Sequence, residues 1–330
     1  VNLRTLRGAA AAVMALAVTS STAHVVAAGA QSPTMAHAAT PDSHIVDTFY
    51  GEVEVPIEPA RVVAVSYDTP WQLAGIGVAT VGVQDYSAWR DQFTDDEWAV
   101  VDGIETVGSF DSLNYEAIAA LEPDLIVGDA YEIDEVTYER LAAIAPTAIA
   151  GGEARGDWRA IVDSYGVFTG TTDAVDESRR AYEDTLDRVV TDHADQLAGA
   201  HWAFVTIGDS DGQFSLLYPT STWGELLYDG LGVSLPAGVD DTEPASGYES
   251  YSFERAGEFL GGADVILYPI GGDGSMYPWM DAILSSPVVA SVPAIAEDRA
   301  FGIATSVNDY VSAAAWLTEV ETTVLVTLAD

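Results

Sequence analysis

From Arg61 onward the chain alternates short β-branched apolar runs with stretches in which apolar residues recur every three or four positions. RVVAVS, ATVGV and DLIVG are runs of the first kind, and residues 71–76 and EVTYERLAAIA are stretches of the second. Short strands separated by helices predict a parallel sheet with helices on its faces. Pro146 and the Gly151-Gly152 pair punctuate the end of this half. WAFVTI, TWGELLYDGLG and ADVILYP then repeat the logic as strand, helix and strand. A weak internal echo joins the halves: in both NYEAIAALEPDLIVG and SFERAGEFLGGADVILYP an aromatic-Glu pair opens a helix and an Asp precedes a strand.

Between the halves, residues 173–197 hold neither Gly nor Pro and form the longest helical candidate. Tyr182, Leu186, Val189, Val190, His193 and Leu197 fall on one face, with charged residues on the other. Thr171, Thr172 and Asp173 offer N-caps and Gly199 a stop. The expected organisation is an N-terminal lobe over residues 45–170, a connector helix over 171–199 and a C-terminal lobe over 200–330. The opening residues read differently. Arg4 and Arg7 precede an apolar stretch from Ala9 to Val18, and small residues follow at Ala28-Gly29-Ala30 and Ala36-His37-Ala38. That pattern reads as a secretory signal over residues 1–38. A membrane helix is the alternative, but Ser20, Ser21, Thr22 and His24 interrupt the run before the roughly 20 apolar residues a span requires.

Composition narrows the chemistry. The 330 residues carry 52 acidic and 12 basic side chains, for a net charge of -40, and every basic residue is arginine. Without lysine there is no Schiff base and no P-loop lysine. So acidic a chain repels nucleic acid and anionic membrane surfaces. The absence of cysteine excludes disulfides, thiolate metal sites and a lipidated cysteine anchor. A hydrophobic content of 48% nevertheless requires a folded chain.

Enzymatic motifs are weak. Gly208-Asp209-Ser210-Asp211-Gly212 matches the G-x-S-x-G elbow of serine hydrolases, but QFSLLY after it reads as a strand rather than a helix, and no histidine follows Ser210. A β-turn accounts for it better. His44, His193 and His201 are the histidines left beyond the export segment, and no two stand at ligand spacing. Gly271-Gly272-Asp273-Gly274 has no basic helix after it and reads as a flexible loop rather than an anion cradle.

Aromatic and arginine residues are dense in the expected loops, and large rings with a few polar tips suit a concave site for a bulky organic ligand. Tyr67, Trp71, Tyr86, Trp89 and Arg90 lie just after expected strands, where ligands meet the carboxyl ends of a parallel sheet. Arg155 and Arg159 add cations in the first half, and Tyr218, Trp223, Tyr251 and Tyr277 add rings in the second. Trp202 and Trp316, inside apolar runs, belong to the core.

The strings PARVVAVSYDTPWQLAGIGVATVGV, VGSFDSLNYEAIAALEPDLIVG, LAAIAPTAIA, GELLYDGLG and ADVILYP resemble the iron-siderophore and vitamin B12 class of ABC-transporter solute-binding proteins. They occur in that family's order and cover about residues 45–318. The resemblance implies an α/β protein of two Rossmann-like lobes with mainly parallel sheets, joined by one long helix, with the ligand in the cleft between them. It implies a non-enzymatic monomer that delivers its ligand to an ABC permease and its ATPase. Family members dock through one acidic residue on each lobe. Glu225 matches the second-lobe position; Trp71 or Gln72 stands at the first-lobe position, with Asp68 the nearest acid. The expected ligand is a ferric siderophore, a hydroxamate in preference to an anionic catecholate, with haem or cobalamin as alternatives and no resident cofactor or metal. Relatives in single-membrane bacteria carry a lipidated cysteine that this sequence lacks, so the expected location is extracytoplasmic: periplasmic, released, or held by an uncleaved N-terminal segment.

Overall fold

The computed structural model describes residues 42–152, 157–240, 242, 244 and 246–329. Residues 1–38, which the sequence pattern reads as a secretory signal, and Arg155 lie outside the described residues. An antiparallel hairpin, β1 Ser43–Thr48 with β2 Gly51–Pro56, opens the fold, and Phe49 at its turn donates its N–H to Ile149 O. The first sheet contains β3 Val62–Ala64, β4 Thr80–Val83, β5 Glu105–Thr106, β8 Leu125–Asp129 and β9 Thr147–Ala150, in the order β5-β4-β3-β8-β9 and parallel throughout. A small hairpin of β6 Gly108–Ser109 and β7 Ser112–Leu113 follows β5. Its helices are α1 Thr69–Gly75, α2 Asp95–Ala99, α3 Tyr115–Ala120, α4 Glu135–Ala142 and α5 Trp158–Thr169. Every residue of β8 and β9 is buried, as a sheet covered on both faces requires.

The second sheet has the order β12-β11-β10-β13-β14, built from β10 Trp202–Ile207, β11 Gln213–Leu217, β12 Tyr248–Ser252, β13 Val265–Pro269 and β14 Ala300–Ile303. Its β10-β13-β14 half is parallel, and β11 and β12 add an antiparallel edge. Residues 208–212 are therefore the turn of the β10–β11 hairpin, with Gly212 at φ +79°, and Ser210 begins no helix. This disposes of the hydrolase elbow on geometric grounds.

The connector helix, α6 Thr172–Asp192, stops earlier than the sequence pattern predicts. His193 leaves helical geometry at φ -116°, ψ 23°, and one further turn, Ala194–Leu197, follows before Gly199 at φ +70°. The apolar face of α6 buries Val175, Tyr182 and Val189. Against it packs the last helix, Tyr310–Val320, which continues through Glu321–Leu325 to Ala329. That segment is long and apolar enough to cross a membrane by composition alone. Here its apolarity serves packing, since Tyr310, Ala313, Trp316, Leu317, Val320, Val324 and Leu325 are buried.

This helical layer gives the two lobes a shared core. One apolar cluster runs from Val62 and Leu125 in the first sheet through Trp158, Tyr182 and Trp316 to Trp202 and Phe204 in the second. Trp202 and Trp316 are fully buried, as their apolar settings in the sequence suggest. Separate clusters cover the outer faces, around Val63 and Ile126 in the first lobe and Phe214 and Ile266 in the second. Opening the lobes along the helical layer would expose apolar surface, which resists large motions there.

Candidate functional site

The first lobe gathers its aromatic residues at the carboxyl ends of its parallel strands. Tyr67, just beyond β3, makes ring contacts with Tyr86 at 5.3 Å, Trp89 at 5.7 Å, Phe110 at 6.2 Å and Trp71 at 6.2 Å. These rings form two layers. Trp71 and Tyr86 are 6% and 2% exposed, and both polar tips are engaged: Trp71 Nε1 donates to Glu97 O at 2.8 Å, and Tyr86 OH donates to Tyr67 O at 2.7 Å. Trp71 also stacks on Phe93 at 4.9 Å. The sequence reading placed Trp71 and Tyr86 against the ligand, whereas burial makes them the support on which partly exposed Tyr67 and Trp89 rest. Phe110, 45% exposed, belongs to the front layer and was missed. Its signal was a large ring in the tip of a very short hairpin, where nothing local buries it.

Of the candidate arginines, Arg90 and Arg159 are committed to protein partners. Arg90 pairs with Asp95, donates from Nη1 to Phe93 O at 2.9 Å and lies 5.1 Å from the Trp98 ring, bracing the short helix Ser87–Gln92 against α2. Arg159 is not in a loop. It occupies the first turn of α5, pairs with Glu225, donates to Tyr182 OH at 3.0 Å and lies 4.1 Å from the Trp158 ring. Two residues expected to act separately, one on the ligand and one on a permease, therefore meet in a half-buried pair joining the lobes. Burial pushes the Glu225 carboxyl up, against the opposing pull of Arg159. Asp68 is the N-cap residue of α1, and Gln72 is buried, donating to Asn308 O at 3.0 Å.

The second-lobe candidates do not converge. Tyr218 and Tyr251 are buried with their hydroxyls 2.9 Å apart, Tyr251 OH donates to Glu249 at 2.8 Å, and the Tyr251 ring stacks on Phe259 at 3.5 Å. They pack the antiparallel edge of the sheet, the correction to their assignment as ligand contacts. Trp223 stacks on Phe204 at 5.1 Å, within the shared core. Tyr277 stacks on Trp279 at 5.2 Å, and its phenol is pushed up to about 12 by burial and by the charges of Asp91, Glu97 and Asp273. Two of those acids are first-lobe residues, which places Tyr277 near the seam.

That seam is drawn together by backbone. Gly272 N–H donates to Asp91 O at 3.2 Å, and Ser306 N–H donates to Glu97 Oε1 at 3.3 Å. A side chain on Gly272 would lie 2.1 to 2.2 Å from the backbone of Phe93 and Thr94. The glycine-rich stretch at 271–274, read from sequence as a flexible loop, instead packs directly on the other lobe. A cavity of about 640 Å³ lies here, lined by Ser87, Arg90, Asp91 and Asp95 from one lobe and Gly272 and Asp273 from the other.

The floor of the first lobe is acidic. Asp129 Oδ1 accepts the N–H groups of Tyr131 and Glu132, and Glu132 Oε2 accepts that of Tyr67 at 3.0 Å. Buried Tyr165, bonded to Thr69 at 2.9 Å, has its phenol raised by burial first and then by the charges of Asp129, Glu132 and Asp68. Among the described residues no three His, Asp or Glu side chains form a group able to hold a metal ion.

Two α/β lobes, a single connector helix and an aromatic wall at the strand ends define a bilobal ligand-binding protein. The family model described as periplasmic binding protein matches residues 62–305, and the chain belongs to that family. It is 27% identical over 185 residues to the probable siderophore-binding lipoprotein YfiY of Bacillus subtilis, a match covering 55% of this chain and 54% of the relative. The curated relatives it matches are spanned over a quarter to about half of their lengths. Among solved structures, the siderophore periplasmic binding protein from the fuscachelin gene cluster of Thermobifida fusca superposes with a TM-score of 0.68 at 25% identity, covering 81% of this chain and 97% of that one. A periplasmic solute binding protein of Mycobacterium smegmatis shares the fold with a TM-score of 0.70 at 22% identity, over 85% of this chain and 96% of that one. All three of these relatives are named as binding proteins.

Proposed function

We propose that the protein is an extracytoplasmic receptor that captures a ferric siderophore between its lobes and delivers it to an ABC permease and its ATPase. The observation that carries the reading is the Tyr67, Trp89 and Phe110 wall at the strand ends of the first lobe, where open α/β sheets bind ligands. The names of the Bacillus and Thermobifida relatives support the ligand class. A ferric hydroxamate is favoured within it. Arg90 and Arg159 are already paired with carboxylates, and Asp91, Asp95 and Asp273 line the seam cavity. A neutral or cationic chelate whose apolar backbone packs on rings suits this setting, whereas a highly anionic catecholate meets like charge. Glu225 and Asp68 are the docking carboxylates of this reading, with Glu225 exchanging Arg159 for a permease cation.

Tryptophan quenching by a panel of ferric hydroxamates and catecholates tests it. Saturable quenching by a hydroxamate at micromolar concentration or below is expected. Response to none of the panel would refute the receptor reading, and tighter binding of the catecholates would refute the hydroxamate preference.

A further inference from the structure

The arginines leave most of the negative charge uncompensated. The net charge is -40, and among the described residues Arg90, Arg159, Arg179, Arg188, Arg255 and Arg299 are each already held in an ion pair. The β1–β2 hairpin has no such compensation. Asp42, Asp47, Glu52, Glu54 and Glu58 lie in or beside it, and no ion pair among the described residues reaches any of them. Arg61, the nearest arginine in sequence, is turned to the carbonyls of Leu121 and Glu122. Three of the acids share the exposed face of the hairpin: Asp47 stands directly opposite Glu52 in the ladder, and Glu54 follows two residues on. Like charges so placed destabilise a strand pair. The neighbouring helix α4 adds to the field, since burial first and then the charges of Asp134 and Glu135 raise the Tyr50 phenol at the hairpin turn. The fastening of the hairpin is slight. It consists of buried Val46 and Val55, the Phe49 N–H bond to Ile149 O at 2.8 Å, the Tyr50 OH bond to Ile133 O at 2.7 Å and the His44 ring 3.2 Å from Val167 O, and two strands alone are marginal in water. Distance decides what relieves the repulsion. Opposed Cβ atoms in a ladder stand about 5 Å apart, which is inside the screening length of about 10 Å at 0.1 M salt and outside that of about 3 Å at 1 M. Dilute salt therefore leaves Asp47 and Glu52 repelling, and concentrated salt does not. The net charge acts in the same direction, because its self-repulsion is greatest in the compact state.

We propose that the native fold depends on a screening layer of monovalent cations, so that the protein requires concentrated salt and the β1–β2 hairpin is the first element to detach on dilution. The partner is an ion atmosphere rather than an ion at a fixed site, and the proposal is independent of the ligand. Thermal melting of the full chain, followed by circular dichroism, is compared in KCl at about 0.1 M and about 1 M. Tm is expected to rise by about 10 °C or more, and by more than adding about 1 M sucrose to the dilute buffer achieves, because sucrose stabilises by exclusion and screens nothing. Hydrogen exchange then reads the hairpin at the lowest KCl concentration at which peptides from β8 and β13 keep their protection. There, protection of peptides covering 43–56 is expected to be about tenfold lower than at 1 M, and Asp47→Asn combined with Glu52→Gln, both exposed changes, to restore about threefold of it, the scale of one opposed like-charge pair. A Tm that does not rise with KCl, or a rise equalled by sucrose, overturns the dependence on cations. Loss of protection in the hairpin together with or after β8, or a double variant that exchanges like wild type, overturns the place given to the hairpin.

Discussion

Gly272→Ala tests the seam most directly. Backbone geometry allows alanine, because Gly272 is not among the glycines at positive φ. The obstacle is the other lobe: the new Cβ would sit 2.1 to 2.2 Å from Phe93 C and O and Thr94 N, where ordinary contact begins at 3.4 Å. Those atoms are backbone and cannot rotate aside, so residues 91–94 and 271–274 must part by about 1.2 Å, at the 1–3 kcal/mol typical of overpacking. The Gly272 bond to Asp91, already 3.2 Å long, is lost with it, adding about 1 kcal/mol. Opening the seam relieves the strain without unfolding either sheet, so the seam should respond more than global stability. Hydrogen exchange by mass spectrometry is expected to show protection of peptides covering 91–94 and 271–274 falling by about tenfold or more, with strand peptides from β8 and β13 unchanged. Gly274→Ala is the control: its φ of +80° makes alanine strained, but nothing lies within 4 Å of the added atom, so it carries backbone cost without lobe separation. Wild-type exchange at the seam in Gly272→Ala would refute the packing argument, and so would equal seam opening in Gly274→Ala.

Breaking the Arg159–Glu225 pair, whose side chains are 29% and 31% exposed, is expected to cost about 1–2 kcal/mol, between the values for surface and buried pairs. A double-mutant cycle with Arg159→Met and Glu225→Gln measures it, and a coupling near zero would refute the claim that the pair joins the lobes energetically. Burial already raises the Glu225 carboxyl, and Arg159→Met removes the main opposing effect. A raised carboxyl costs stability above its folded titration range and nothing below its unfolded range, so the deficit of Arg159→Met should grow as pH rises from the acid side towards neutrality. Glu321 has the opposite sign. Its bond to Arg188 and its contact with His193 hold the carboxyl below the usual range, so its contribution is present at neutral pH and lost as pH falls through that lowered range. Melting of wild type and Glu321→Gln across pH should show Tm curves that differ at pH 7 and merge in acid; a constant gap would show that charge is not the cause.

Much of this protein was legible along the chain because its elements are locally coded. Period-two and buried apolar runs marked β3, β4, β8, β10 and β13, and a stretch free of Gly and Pro marked α6. The missing histidine and the strand-like run after Ser210 exclude the hydrolase from the sequence alone. Family membership was also carried by ordered strings, since they encode those same elements. What a side chain meets across the fold is not local. Tyr218 and Tyr251 have the same loop-like sequence settings as Tyr67, yet they pair inside the second lobe while Tyr67 stays at the strand ends. Arg159 and Glu225 are 66 residues apart, and only the meeting of α5 with the second lobe turns two assignments into one ion pair. Gly272 looked mobile because glycine permits many conformations; its packing against Phe93 and Thr94 shows the other use of a missing side chain, close approach of two backbones. Strand, helix and turn were thus set by neighbours in sequence, whereas burial, partnership and the identity of the cleft wall depended on which distant surfaces the shared apolar core brings together.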